Sequence, residues 1–144
     1  MNDKVLVKIK GIQYDLEEDN EGIETMQHGE YKYILGKHVI AYDEIFETED
    51  GAPPATSKNL LKITKDSVSL VKRGVVSSDM FFKERHNHTG IYEFPYGSMH
   101  MNLSTTKLTI NESEDKIDVN IKYGLDMNYS HVSDCEISIC ITSV

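Results

Sequence analysis

His86 and His88 stand one residue apart, so on a β-strand both imidazoles leave the same face, and His100 on a neighbouring strand would complete a three-nitrogen metal site. The competing reading is an exposed polar hairpin, Glu84-Arg85-His86-Asn87-His88-Thr89, because no carboxylate is placed to orient the rings. His28, His38 and His131 are isolated in sequence. Lys72 and Arg73 close an apolar stretch beside Gly74. Adjacent strand residues face opposite ways, so one of the two can enter an interior, where it needs an anion or hydrogen-bond acceptors, and a solvated strand end is the alternative. Tyr92, Phe94 and Tyr96 fall on one face of a strand, and Met99, Met101 and Leu103 on one face of the next. Such a wall can line a pocket, or it can simply pack a core. Buried tyrosine hydroxyls need partners, which favours a polar interior or a pocket mouth for Tyr92 and Tyr96.

Other chemistry is harder to place. The chain has no G-x-S-x-G elbow, no glycine-rich phosphate loop and no H-E-x-x-H pair, and each absence lowers the weight of an enzyme reading. No catalytic residue and no cofactor is assigned. Glu17-Glu18-Asp19-Asn20-Glu21-Gly22 is a poor calcium loop, since His28 stands where a bidentate glutamate is needed and the flanks are strand-like. A formal charge of −9 opposes a phosphate backbone or an anionic membrane, and Arg73 and Arg85 are too few for a base-reading surface. Neither nucleic acid nor membrane is expected as a partner.

The elements that must position these residues are strands. Val5-Leu6-Val7-Lys8-Ile9-Lys10, Met99 to Leu103, Ile117 to Tyr123 and Cys135 to Ile141 alternate apolar and polar residues with a period of two. Strand segments are read at 4–13, 23–35, 37–46, 57–64, 67–73, 79–85, 90–94, 98–105, 107–111, 116–123 and 132–142. Short links such as Leu35-Gly36-Lys37 and Thr64-Lys65-Asp66 make neighbours antiparallel, whereas Asn111 to Lys116 and Gly124 to Ser130 read as longer polar loops. Two prolines in Glu49 to Ala55 exclude a ladder there and stiffen a loop long enough to cross a barrel mouth. The acidic run Asp15 to Glu21 lacks the spacing that would dock a helix, and no crossover helix can be placed, so a doubly wound α/β fold is excluded. The expectation is one all-β domain over 1–144, an antiparallel up-and-down barrel of about eight to ten strands.

Met1-Asn2-Asp3-Lys4 leads straight into a strand instead of a signal region, and no long apolar run follows, so a soluble cytoplasmic protein is expected. Cys135 and Cys140 lie on opposite faces of one strand with Cα atoms roughly 16 Å apart, so two free thiols are expected.

Val71-Lys72-Arg73-Gly74-Val75-Val76, then Phe82, then Gly90-Ile91-Tyr92-Glu93-Phe94-Pro95-Tyr96-Gly97, then Leu103-Ser104-Thr105-Thr106-Lys107-Leu108 resemble the YwiB-like family of uncharacterised bacterial proteins, in order and spacing over nearly the whole chain. The family is a domain of unknown function, and the resemblance implies a calycin-like, lipocalin-like barrel. Two features depart from it: Lys72 stands where the family tends to have arginine, keeping charge but not bidentate geometry, and the His86 to His88 segment is peculiar to this chain. Without tryptophan the chain lacks the Gly-x-Trp mark of secreted lipocalins, so their ligands do not transfer.

The leading expectation is a non-catalytic carrier of a small, largely apolar molecule or metabolite, with Lys72, Arg73, Phe82, Tyr92, Phe94, Tyr96, Met99 and Met101 as candidate lining. A second is a packed interaction module, with homodimerisation expected through strand edges left by imperfect closure. A third is an enzyme or metal protein built on His86, His88 and His100.

Overall fold

A computed structural model describes residues 1–13, 23–46 and 55–144, so the calcium-like loop, the Asp15 to Glu21 run and nearly all of the proline loop lie outside the described residues. The described chain forms strands β1 (Lys4–Gln13), β2 (Ile23–Ile34), β3 (Lys37–Phe46), β4 (Ala55–Ile63), β5 (Ser67–Gly74), β6 (Ser78–Lys83), β7 (Asn87–Phe94), β8 (Gly97–Glu112), β9 (Lys116–Met127) and β10 (Ser130–Ser143). Period-two alternation decides which face turns inward: Val5 and Val7, Leu61 and Ile63, Val68 and Leu70, Ile117, Val119, Ile121 and Tyr123, and Cys135, Ile139 and Ile141 are all buried. Burying each large aliphatic side chain contributes about 1.5–3 kcal/mol, and a one-residue slip of register would turn that whole set into water.

All ten strands lie in one antiparallel sheet in which each strand neighbours those adjacent in sequence, and β1 also pairs with β10. The meander therefore wraps into a nearly closed barrel whose seam falls between β6 and β7. Among the described residues, only the Ser77–Glu93 bridge crosses that seam in the sheet ladder, through hydrogen bonds of 2.9 and 2.8 Å.

Three departures from the sequence expectation bear on the candidate residues, beyond shifts of one to three residues at other strand ends. The segments 98–105 and 107–111 are one strand, β8, because a bulge between Thr105 and Lys107 shifts its register on β9 without ending it. The polar loop expected from Gly124 is instead a continuation of β9 to Met127, closed by Asn128 and Tyr129 at φ of 49° and 69°, the left-handed pair that a two-residue hairpin turn demands. Strand β7 ends at Phe94, so Tyr96 does not share its face but sits in the tight turn before Gly97, 96% exposed.

One end of the barrel is clasped by side chains. His38 Nε2 lies 2.7 Å from Glu112 Oε1, and Tyr31 donates to His38 Nδ1 at 2.7 Å. Strand β3 reaches β8 only through β2, β1, β10 and β9 one way and β4 to β7 the other, so this contact spans the barrel instead of following the sheet. A neutral His38 protonated on Nε2 satisfies both bonds at once. His38 is isolated in the sequence because its partner is a distant glutamate that leaves no local signal.

Candidate functional site

Away from the clasp, the inner wall changes character. Lys72 continues the inward series Val68, Leu70, and Glu44 continues Ile40, Tyr42, so a cation and an anion face the interior from β5 and β3. Lys72 Nζ donates to Glu44 Oε1 at 3.3 Å, and Asn59 Nδ2 on β4 donates to the same oxygen at 3.1 Å. Ser57 Oγ donates to Asn59 Oδ1 at 3.0 Å. The lysine side chain is 26% exposed and the glutamate 14%, while Asn59 is 3% and Tyr42 5%. Register places them side by side: Tyr42 opposite Asn59, Asn59 opposite Lys72, Lys72 opposite Ser78. Gly74 makes this corner possible, because a Cβ there would stand 2.5 Å from the Thr56 carbonyl oxygen and 2.6 Å from Ser57 Cα.

The row does not stop at the seam. In the register set by the Ser77–Glu93 bridge, Ser78 stands opposite Tyr92, and Tyr92 is paired with Met99 on β8. Tyr92 and Phe94 are half-buried with ring centroids 6.1 Å apart, Met99 is half-buried, and Met101 is 2% exposed. A polar half (Tyr42, Glu44, Asn59, Lys72) thus adjoins an apolar half (Tyr92, Phe94, Met99, Met101) on one inner surface.

Electrostatics follow burial. Burial pushes the Tyr42 hydroxyl up to about 12, with the Asn59 hydrogen bond pulling the other way and the Glu44 carboxylate adding to the rise. Tyr123 is raised further in the same direction, by burial first and then by Cys135, whose sulfur lies 3.2 Å from Ser133 Oγ. Both phenols stay protonated near neutrality and act as hydrogen-bonding groups, not as nucleophiles.

The remaining sequence candidates separate. Arg73 faces outward, its Nη1 donating to the Lys72 carbonyl at 2.9 Å and the Ser78 carbonyl at 3.4 Å, so it braces the strand pair. Phe82 is 1% exposed and packs against Tyr123 at a centroid distance of 5.0 Å, deep in the core. The histidine constellation does not assemble. His86 lies in the turn before β7 with Nδ1 3.2 Å from the Glu84 carbonyl, and His88 turns inward with Nε2 3.1 Å from the Asp79 carbonyl. His100 lies on the exposed face beside Tyr129. Three rings on a turn and on opposite faces of neighbouring strands cannot meet at one ion. No group of three or more potential ligands among the described residues is arranged to hold a metal.

One feature of the sheet left no trace in the sequence. Strand β2 pairs with β3 only from Gly29↔Tyr42 to Ile34↔Lys37, yet it continues along β1 to Ile23 while β3 continues along β4 to Phe46. The two strands fork at Gly29, and a cleft of about 550 Å³ lies there on the outer face, lined mostly by the exposed Lys4, His28, Glu30, Ala41, Asp43 and Lys58.

An all-β, antiparallel meander closed through β1 and β10, carrying a mixed polar and apolar inner wall, defines the class. Within that class, residues 7–139 match the family described as Domain of unknown function (DUF1934), and the chain belongs to it. Among solved structures it is similar to the ywiB protein from Bacillus subtilis, at 21% identity over 98% of this chain and 92% of that one, with a TM-score of 0.78. That likeness shows a common fold, in keeping with the YwiB-like resemblance of the sequence. No match was found among curated proteins. No helix among the described residues is long and apolar enough to cross a membrane.

Proposed function

We propose that this protein is a non-catalytic, calycin-like barrel that binds a small, largely apolar molecule carrying one polar group. The observation that carries the reading is the inner row Tyr42–Asn59–Lys72–Ser78–Tyr92–Met99, in which hydrogen-bonding and apolar surfaces adjoin, Tyr42, Asn59 and Ser78 buried and Lys72, Tyr92 and Met99 half-buried. The apolar body of a ligand would lie on Tyr92, Phe94, Met99 and Met101, and its polar group on Asn59, Lys72 and Glu44. Binding sites of this kind combine an apolar lining with a few fixed polar groups. Unbridged Cys135 and Cys140 support a reducing compartment, the cytoplasm, as its location.

The test is titration with N-phenyl-1-naphthylamine, whose emission rises in an apolar pocket. Wild-type protein is expected to bind it saturably, and Met99→Trp, which fills the lining, to lose at least most of that signal. Equal signal from both proteins would place the probe elsewhere. A second reading, self-association, draws support from the β6–β7 seam, where one bridge leaves strand-edge groups for a second copy to pair. Light scattering at high concentration that gives only the 16.4 kDa monomer would remove it.

A further inference from the structure

Granted the binding role argued above, on which this rests, we propose that the polar group of the ligand is neutral and both donates and accepts hydrogen bonds. A primary carboxamide is the best match, read by Lys72 and Glu44 together.

Both donors to Glu44 fall on one oxygen. Lys72 Nζ at 3.3 Å and Asn59 Nδ2 at 3.1 Å reach Oε1, while Oε2 accepts no hydrogen bond among the described residues. Asn59 is 3% exposed and is itself fixed by Ser57 Oγ, 3.0 Å from its Oδ1, so a sealed pair of side chains orients the carboxylate. Lys72 and Glu44 are not sealed, since solvent reaches 26% and 14% of their side chains. Nor is Oε2 shut away as Gln27 Oε1 and Thr105 Oγ1 are, the two buried side-chain polar atoms left without a partner among the described residues. The ammonium has three donors and gives one to Glu44, which leaves it free to donate again. An open donor and an open acceptor therefore stand side by side at the polar end of the row.

Charge decides against an ionic head. Lys72 and Glu44 neutralise each other, and the other charged residues near them on β3, β4 and β5, Asp43, Lys58 and Arg73, are exposed on the outer face. A carboxylate or an amine would leave one charge uncompensated in a half-buried wall, whereas a neutral head keeps the balance. A carboxamide places its N–H on Oε2 and its carbonyl against the ammonium. Lys72 and Tyr92 flank Ser78 in the row, two strand spacings or about 10 Å apart, so an alkyl tail that starts at the pair runs onto the apolar half.

Displacement of N-phenyl-1-naphthylamine by octanamide, octanoate and octylamine at neutral pH tests this. Wild-type protein should bind the amide about tenfold more tightly than either ion, the scale of one hydrogen bond to a charged group. Removing one charge should change the order. Lys72→Met leaves the carboxylate alone and should bind octylamine best, and Glu44→Gln leaves the ammonium alone and should bind octanoate best. A variant that fails to fold would lose the probe and all three ligands together, and the wild-type order with that of the other variant then decides. An ion that matches the amide on wild type, or a folded variant that keeps the wild-type order, overturns the assignment of the head while leaving the carrier reading intact. Absence of any probe binding by wild type would overturn both.

Discussion

Removing the charge from Glu44 should destabilise the barrel through Lys72, and removing both charges should not. At 3.3 Å the bare attraction is about 5 kcal/mol for an effective dielectric of about 20. Solvent reaches 26% of the lysine side chain and 14% of the glutamate, and desolvation of both ions opposes the attraction, so roughly 2 kcal/mol of coupling should remain. Glu44→Gln keeps an acceptor for Asn59 but leaves Lys72 without a counter-ion, and Lys72→Met leaves the carboxylate with Asn59 alone. Each single variant should unfold about 2 kcal/mol more easily, and the double variant by about the same amount instead of about 4. Urea denaturation of the four proteins, with unchanged m values, reads the cycle directly. Additive single effects, with a coupling below about 0.5 kcal/mol, would mean that the pair does not act as a unit inside the wall.

Further outcomes follow from neighbouring groups. Because Tyr42 is raised from 10.0 to about 12, its contribution is fully present below pH 10 and is lost as pH rises towards 12, about 2–3 kcal/mol in all. Tyr42→Phe should flatten that part of the stability–pH curve, and an unchanged curve would contradict the burial argument. Gly74→Ala forces a Cβ to 2.5 Å from a backbone oxygen that cannot swing away, so it should cost about 3 kcal/mol and lower Tm by roughly 10 °C by calorimetry. A melting point within a degree of wild type would show that β4 and β5 separate easily. Native alkylation should label Cys140 well before Cys135, since Cys135 is 4% exposed on the core face. Mass spectrometry showing Cys135 labelled first would mean the last strand opens readily.

Much of the barrel was legible because its signal is local. Alternation in β1, β9 and β10 gave both strand and face, and it gave the phase of the two cysteines correctly, since side-chain direction depends only on parity along one strand. The bulge at Thr105–Lys107 was not legible, because it exists only in the pairing with β9 and changes no residue type. Nor was the choice between Lys72 and Arg73. Each would suit a solvated strand end, and what brings Lys72 inward is the Val68–Leu70 phase together with Glu44 on another strand. The clasp of His38 by Glu112 and the shielded Gln27 are likewise products of closure, made by residues far apart in the chain. Tyr96 was drawn into the aromatic wall by its spacing from Phe94, but the turn begins at Pro95 and takes it outward.

The central claim, that the half-buried wall of β7 and β8 receives a ligand, is tested most directly by methyl resonances. In protein labelled on its methionine methyls, titration with N-phenyl-1-naphthylamine should move Met99 and Met101 and leave Met26, 53% exposed on the outer face, in place. If saturating probe leaves Met99 and Met101 unmoved, or moves Met26 alone, the wall is packing and the binding role fails.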